Sequence, residues 1–310
     1  MSASGGAART AVAAPQSPIR GRVVVIANPA TRRDAGRVID LIQRAAPAGV
    51  TLDVRLTRGP GDAVSLARDG CEGAALVVAV GGDGTVADVA TGILGSGAPL
   101  GIVPAGSTNI VARELGIPTA SPAAAQALFA PHRLVARDVG RCGDRCFLHM
   151  AGAGLDSRFF AAANPALKRR VGWPAYLPAA ARALRLPPAH FDLISDDHRL
   201  SVTSPLVLVA NGGSVIAPWL RLDPAITATD GWLDLLVFTA VRPLPIANTL
   251  VRFAARRLPE SPWLLHLKTR RVEMLADPPL PVEFDGDIDG STPAVFTVDP
   301  LAIRVVVPLG

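Results

Sequence analysis

Two glycine-rich turns lie close together in the first half of the chain. GGDGT occupies residues 81–85, and GSTN occupies residues 106–109. Glycine lets a backbone approach a ligand closely, and free N–H groups at the start of a following helix attract anions. Neither turn contains a lysine, which excludes a Walker A loop, and the GxGxxG spacing of a dinucleotide fingerprint is absent. The two turns therefore predict a phosphate-binding site of another kind.

Asp83, inside the first turn, places a carboxylate where a phosphate group is expected. Like charges repel, so Asp83 fits the turn if Mg²⁺ lies between it and the phosphates, or if it hydrogen-bonds hydroxyl groups. The remaining interpretation is structural, with Asp83 capping the helix that begins near Thr85. The sequence leaves these alternatives open.

The elements around the turns change character along the chain. From 21 to 136, short β-branched runs alternate with segments of helical spacing, which predicts a Rossmann-like parallel sheet with helices on both faces. From 137 to 298, strand-like runs with Asp, Gly and Pro in their turns predict an antiparallel β-sandwich, interrupted by helical intervals at 164–185 and 244–257. Residues 1–20 are predicted as a disordered tail. Residues 299–310 are predicted as a C-terminal strand, with a return to the first domain as one option.

The two turns together are more specific than either turn alone. GGDGT followed by PAGSTNIVARELGIP resembles the catalytic domain of the diacylglycerol kinase family, which shares its nucleotide fold with NAD kinases. Other family-like segments occur in the family's order along nearly the whole chain. They are Asn28-Pro29, TRGPGDA, AGAGLDS, ANGG, DGWLD and EFDGD.

The resemblance implies that ATP binds in a cleft between the two domains, with Mg²⁺ as a second cofactor. It also implies transfer of the γ-phosphoryl group to a hydroxyl of diacylglycerol or a related lipid alcohol, such as a sphingoid base or phosphatidylglycerol. The residues that it places around ATP are Asn28, Thr57, Gly81, Gly82, Asp83, Gly84, Thr85, Gly106, Ser107 and Asn109.

The resemblance assigns roles to several carboxylates as well. Asp287 occupies the position of the family's glutamate that is proposed as general base. Asp285 is a candidate to bind the metal ion or to assist as base, and Asp83 is the third candidate catalytic residue. The alternative for Asp285 is a simple hairpin turn with Gly286. The DGWLD segment resembles the family's structural magnesium site, whose ligands would be Asp230 and carbonyl groups near Thr227 and Trp232.

Several positions depart from the family's usual motifs. Ala87 replaces an Asn, Asp88 replaces a Glu, and Ile110 replaces an Asp, whereas Ser107 replaces a Thr and keeps its hydroxyl. Asp287 is one methylene shorter than Glu, so its carboxylate would fall roughly 1 Å short, and a misplacement of that size costs on the order of 10²-fold in rate. Two alternatives therefore stay open. They are a nucleotide-binding regulator with weak or no kinase activity, and an NAD kinase-like enzyme acting on a soluble alcohol.

The charge of the chain indicates acidic partners. A net charge of +5 and a pI near 9.8 suit nucleotides, nucleic acid or anionic lipid heads, but no nucleic-acid motif accompanies them, so we expect no nucleic-acid partner. Residues 166–188 and 241–271 combine basic side chains with aromatic residues and Leu, which predicts peripheral contact with a membrane that carries the lipid substrate. The alternative is that these arginines are solvated on helices packed against the β domain. The sequence does not predict the oligomeric state.

Cysteine usage and hydropathy favour an intracellular protein. Cys71, Cys142 and Cys146 are too few for a disulfide framework and lack the spacing of a zinc site. No apolar run is long enough for a signal peptide or a bilayer span. The sequence therefore predicts a cytoplasmic protein, with peripheral attachment to the inner face of the membrane as an option.

Overall fold

The computed structural model describes residues 18–31, 34–155, 187–196, 198–215 and 220–309. In the first half of the chain, strands and helices alternate. These elements are β1 (Gly21–Ala27), α1 (Ala35–Ala45), β2 (Val50–Leu56), α2 (Asp62–Gly70), β3 (Leu76–Gly81), α3 (Asp83–Ile93), β4 (Leu100–Pro104), α4 (Ile110–Glu114) and α5 (Ser121–Phe129).

Strands β1 to β4 form a parallel sheet in the order β2-β1-β3-β4. The sequence of β3, LVVAVG, is buried at every position because helices cover both faces of the sheet. Successive side chains of β1 point to opposite faces. Val24 belongs to the core cluster that contains Val89 of α3, and Val23 belongs to the cluster that contains Ile42 of α1. The predicted Rossmann-like layer is confirmed.

The second half of the chain consists mainly of strands. They are β5 (His132–Cys142), β6 (Arg145–Phe147), β7 (Met150–Gly154), β8 (Ala189–Ser195), β9 (Arg199–Ser204), β10 (Leu206–Ala210), β11 (Leu233–Phe238), β12 (Leu264–Thr269), β13 (Arg271–Asp277), β14 (Pro281–Phe284), β15 (Asp287–Ser291) and β16 (Ala294–Pro308). The helix α6 (Pro243–Ala254) and a short 3-10 turn (Leu258–Glu260) lie between β11 and β12.

The long strand β16 connects the two parts of the fold. It pairs antiparallel with β5 and β13, and its residue Val305 pairs in parallel with Leu100 of β4. The parallel sheet therefore continues through β16 into β13, β8 and β9, and β5 and β6 complete this ten-stranded sheet. The domain boundaries placed at 136/137 and 298/299 fall inside β5 and β16, and they stay a prediction.

A second sheet packs against the antiparallel part of the first. Its strand order is β12-β11-β10-β7-β14-β15. Phe191 and Phe296 of the first sheet share one core cluster with Val207 and Leu235 of the second. The predicted antiparallel sandwich is thereby confirmed.

The helical intervals predicted for the second half have different outcomes. The interval 244–257 overlaps α6, which begins one residue earlier, at Pro243, and ends at Ala254, where the chain turns toward the 3-10 segment. The interval 164–185 and most of the predicted tail lie outside the described residues. Within the described ranges, no helix is long and apolar enough to cross a membrane.

Candidate active site

The first glycine turn connects the carboxyl end of a buried parallel strand to a helix. β3 ends at Gly81, and α3 begins at Asp83 with Gly82 as the preceding extended residue. A Cβ atom on Gly81 would overlap the Thr85 side chain, so only glycine lets the chain turn back on itself here. This is the edge of a parallel sheet at which α/β proteins bind ligands.

The second turn lies directly against the first. The Ala105 N–H donates to the Gly81 carbonyl at 2.7 Å, and a Cβ on Gly106 would lie only 2.5 Å from the Cα of Gly82. Asn109 fixes the shape of the second turn, because its side-chain oxygen accepts from the Gly106 N–H and its amide donates to the Gly106 carbonyl, each at 2.9 Å. The two turns therefore form one continuous backbone surface.

Asp83 links the two turns. Its carboxylate accepts a hydrogen bond from the Val111 N–H at 3.3 Å, at the start of α4. Burial raises the pKa of Asp83 to about 6, although the backbone N–H groups of Val111, Ile110 and Asn109 act in the opposite direction. Asp83 thus caps α4 and not the helix in which it lies, and its catalytic role stays a prediction.

Two further predicted residues follow neighbouring strands at the same edge of the sheet. Asn28, after β1, donates from its side-chain amide to the Thr85 hydroxyl at 3.4 Å, and its backbone N–H donates to Val80 at 3.1 Å. Thr57, after β2, is buried and donates its N–H to the Ala27 carbonyl at 3.0 Å. The structure therefore brings Asn28 to the first glycine turn, and it places Thr57 beside the end of β1 at the same edge of the sheet. Ser107 lies half-buried in the second turn.

The hairpin of β14 and β15 places Asp287 against the first turn. Asp287 is the exposed first residue of β15, and a Cβ on Gly84 would overlap its carboxylate. Glycine at position 84 is thus what allows this carboxylate to reach the turn. The candidate base and the candidate phosphate-binding turn, which are far apart in the sequence, adjoin in the structure.

An acidic group with one arginine surrounds this contact. Arg145 pairs with Asp289 at 2.7 Å. Burial raises the pKa of Asp88, nearby Asp287 and Asp289 raise it further, and Arg145 lowers it. From the sequence, Asp88 was identified only as a departure, and Arg145 and Asp289 were missed. The alternation of Asp287 and Asp289 along one strand face was the available signal.

Asp285 anchors the same hairpin to the strand beside it. Its two oxygens accept the backbone N–H groups of Leu148, His149 and Met150 at 2.8, 2.9 and 3.0 Å. Burial raises the pKa of Asp285 to about 7, and the neighbouring Asp83 carboxyl adds to this, while the three N–H groups oppose it. These bonds give Asp285 a positioning role for the turn that presents Asp287. A share in metal or base duty stays a prediction.

Comparisons with known proteins agree with this arrangement. Residues 22–142 match the model of the diacylglycerol kinase catalytic domain, and residues 149–307 match the YegS C-terminal NAD kinase beta sandwich-like domain. The chain belongs to the YegS-like lipid kinase family. The resemblance found in the sequence is thereby confirmed.

Relatives of this YegS-like family cover most of the chain. A "Probable lipid kinase YegS-like" protein of Chromohalobacter salexigens is 34% identical over 81% of this chain and 82% of its own length. One of the same name from Pseudomonas fluorescens is 32% identical over 86% and 89%. A solved structure from Bacillus anthracis, described as a "putative diacylglycerol kinase", superposes with a TM-score of 0.77 at 21% identity and covers 95% of this chain and 97% of its own. At that identity, the superposition shows the fold alone.

A buried polar network in this YegS-like chain holds the second turn's helix in place. Glu114, at the end of α4, pairs with Arg137 of β5 at 3.4 Å and accepts the Ser214 N–H at 3.1 Å. His149 lies 3.8 Å from Glu114, and its other ring nitrogen lies 2.5 Å from the Ser214 carbonyl. Burial lowers the pKa of His149, although nearby Glu114 acts in the opposite direction. This network was missed from the sequence, because its members are scattered along the chain.

The residues that the resemblance assigns to a magnesium site have protein partners where the structure places them. One Asp230 oxygen pairs with the Lys268 ammonium, and the other accepts the Trp232 N–H at 3.1 Å. The Thr227 hydroxyl faces that of Thr229 at 3.0 Å. Among the described residues, no group of three or more His, Cys, Asp or Glu side chains could hold a metal. Lys268 thus places positive charge next to Asp230, and ligation of magnesium by Asp230 and by carbonyl groups near Thr227 and Trp232 stays a prediction.

Proposed function

We propose that the protein transfers the γ-phosphoryl group of ATP to a hydroxyl group of diacylglycerol or a related lipid alcohol, such as a sphingoid base or phosphatidylglycerol. One observation carries the proposal above all others. The Asp287 carboxylate lies against Gly84, inside the turn suited to phosphate. A kinase needs a phosphate site and a proton acceptor next to each other, and this contact supplies that arrangement.

The phosphates of ATP fit the surface that the two glycine turns form. Side chains at Gly82 and Gly106 would fill the space where the two backbones meet, so the turns leave only backbone there. The α3 helix begins in this surface, and its first N–H groups and dipole favour negative charge. Asn28 and Thr85 add an amide and a hydroxyl at the same edge. Backbone and neutral groups would thus do what a lysine does in a Walker A loop.

Asp287 is suited to accept the proton of the acceptor hydroxyl. As that proton passes to an Asp287 oxygen, the hydroxyl oxygen bonds to the γ-phosphorus, and the bond from phosphorus to the bridging oxygen breaks to leave ADP. Asp285 holds the hairpin turn in register through its three backbone hydrogen bonds, so it fixes where Asp287 points. The shorter side chain of Asp is compatible with this role, because Gly84 removes the obstacle to its approach.

The charges around the site support a requirement for a cation. Asp287 and Asp289 lie close enough to Asp88 to raise its pKa, and Arg145, which pairs with Asp289, acts in the opposite direction, so bound ATP would add negative charge to an already acidic region. No cluster among the described residues holds a metal by itself. We therefore expect Mg²⁺ to arrive with ATP, where it would neutralise charge on the phosphate oxygens.

The test compares two carboxylate variants with radiolabelled ATP and a mixed lipid extract. We expect Asp287→Asn to slow label transfer by about 10²- to 10⁴-fold, the usual contribution of a general base, while ATP affinity changes little. The matched control is Asp192→Asn, which removes an exposed carboxylate on β8 next to His190. The control should transfer label at the wild-type rate.

Each other outcome of this assay contradicts a different part of the proposal. Wild-type transfer by Asp287→Asn would refute the base assignment. ATP binding without any labelled product from the wild type would favour a nucleotide-binding regulator. Label on a soluble alcohol such as NAD, but not on lipid, would favour an NAD kinase-like enzyme.

A further inference from the structure

Exposed apolar side chains are concentrated in one short part of the chain. Of the ten large hydrophobic residues that stand out as exposed among those described, six fall between 241 and 265. They are Val241, Leu244, Leu250, Val251, Trp263 and Leu265. Soluble proteins seldom collect such side chains in one patch unless the patch binds something.

The helix α6 has apolar residues on two opposite faces. Its inward face is formed by Ile246, Thr249 and Phe253, which follow the spacing i, i+3, i+7, and of the whole helix only Thr249 is fully buried. The opposite face follows the same spacing and is formed by Leu244, Ala247 and Val251. We name these three residues the α6 outer face.

The α6 outer face carries no charged side chain, and the exposed residue beside it, Asn248, is polar but uncharged and accepts a hydrogen bond from Arg252. Leu244 is 83% exposed and Val251 is 67% exposed, and Ala247 between them is exposed as well. A helix that only covers the protein core would place these side chains on its inner side. The sequence of α6 therefore indicates a second apolar contact.

Basic residues lie close to this apolar face along the chain, since Arg242 directly precedes α6, Arg252 belongs to it, and Arg256 follows it. Residues 241–271 contain seven basic residues and one acidic residue, Glu260, which gives this segment a formal net charge of +6, whereas the whole chain has +5. The basic residues are Arg242, Arg252, Arg256, Arg257, Lys268, Arg270 and Arg271. An apolar helix face with arginines at both ends of the helix is complementary to a bilayer that contains anionic lipids.

We propose that the α6 outer face docks on a bilayer with anionic lipids, with Leu244 and Val251 entering the interface and Arg242 contacting headgroups. This inference rests on the proposed function, because an enzyme that phosphorylates a lipid alcohol meets its substrate at a membrane. A second copy of the chain is a poor occupant, since two segments of charge +6 would repel each other.

The docking surface and the catalytic carboxylate are well separated. The helix α6 lies in the connection between β11 and β12, at one end of the six-stranded sheet, and β15 with Asp287 lies at the other end. Five strand spacings of about 4.8 Å put roughly 24 Å between these edges. Substitutions in α6 should therefore change membrane binding without changing the phosphate site.

The test is flotation with vesicles of phosphatidylcholine alone and with equal parts of phosphatidylcholine and phosphatidylglycerol. The wild type should bind the anionic vesicles and not the neutral ones. The double variant Leu244→Gln/Val251→Gln should bind on the order of 10²-fold more weakly, because two apolar side chains no longer enter the interface. Arg242→Glu should bind about tenfold more weakly. Leu309→Gln, which alters a 41% exposed leucine elsewhere, is the matched control and should bind as the wild type does.

A parallel assay separates docking from catalysis. All variants are given a short-chain diacylglycerol dispersed in detergent, and we expect equal label transfer because no bilayer is needed. Vesicle binding without transfer by the wild type would support docking and refute the proposed function. Label transfer by the wild type without vesicle binding would support the proposed function and refute docking. Unchanged binding by the double variant would overturn the assignment to α6, and so would a wild-type dimer in sedimentation that the double variant loses.

Discussion

The contact between the two glycine turns makes a single methyl group a strong perturbation. In Gly106→Ala, the new Cβ would lie 2.5 Å from the Cα of Gly82 and 3.0 Å from the side-chain oxygen of Asn109. Carbon atoms that are not bonded approach to about 3.5 Å, so the turns must separate by about 1 Å. Neither neighbour can yield easily, since one is backbone and Asn109 is held by two hydrogen bonds to residue 106.

A displacement of this size should reduce the rate of phosphoryl transfer more strongly than it reduces the stability of the fold. Moving groups that position a substrate by about 1 Å costs on the order of 10²-fold in rate, whereas overpacking costs about 1–3 kcal/mol of stability. We therefore expect Gly106→Ala to lose about 10²-fold in label transfer and to bind ATP more weakly by calorimetry. Urea unfolding should still show a cooperative transition.

Gly59→Ala is the matched control for this variant. Gly59 lies in an exposed loop, no other atom lies within 4 Å of the place that its new methyl group would take, and its backbone does not require a positive φ. The control should keep wild-type affinity and rate. If Gly106→Ala also kept them, the two turns would not form one phosphate-binding surface, and the reasoning would be refuted.

Two further predictions concern stability. The hydrogen bond to Asp234 raises the pKa of His266 above its ordinary 6.5, burial opposes this, and the charge of Asp223 adds to the increase. The stability that protonated His266 contributes is therefore complete below pH 6.5, and it is lost as the pH rises through the raised pKa. The difference in unfolding free energy between wild type and His266→Gln should therefore shrink as pH rises, and a constant difference would contradict this account. Phe147 is fully buried and meets Phe296 edge-on at 6.2 Å between ring centres, so Phe147→Ala should cost about 3–5 kcal/mol in urea unfolding. A cost below about 1 kcal/mol would contradict the packing described for this core.

Local patterns in the sequence were enough to predict the elements that build the site. The run LVVAVG predicts a buried strand, and GGDGT after it predicts a turn into a helix, because strand periodicity and the backbone freedom of glycine depend on neighbouring residues only. The same local order of motifs carried the resemblance to the diacylglycerol kinase family. Local patterns do not define the boundaries between domains, since β16 extends one sheet through both halves of the chain.

The tertiary structure decided what the individual carboxylates do. From the sequence, the Asp83 carboxylate had three possible partners, which were a metal ion, a hydroxyl group and the start of its own helix. In the structure it accepts a hydrogen bond from the Val111 N–H, 28 residues away. Asp230, for which magnesium ligation stays a prediction, pairs with Lys268 of β12, a partner that the sequence did not indicate. Such partners follow from how sheets and turns pack, and no local pattern contains that information.

The sequence by itself therefore determined the parallel and antiparallel layers, the two phosphate-suited turns and the family, because each depends on short-range pattern. Only the tertiary structure decided that Asp287 reaches Gly84 and that Arg145 and Asp289 lie beside them. Residues from distant parts of the chain meet there because β15, at the edge of its sheet, brings Asp287 against Gly84 in the first turn of α3. Long-range packing sets those distances, and the chemistry depends on them.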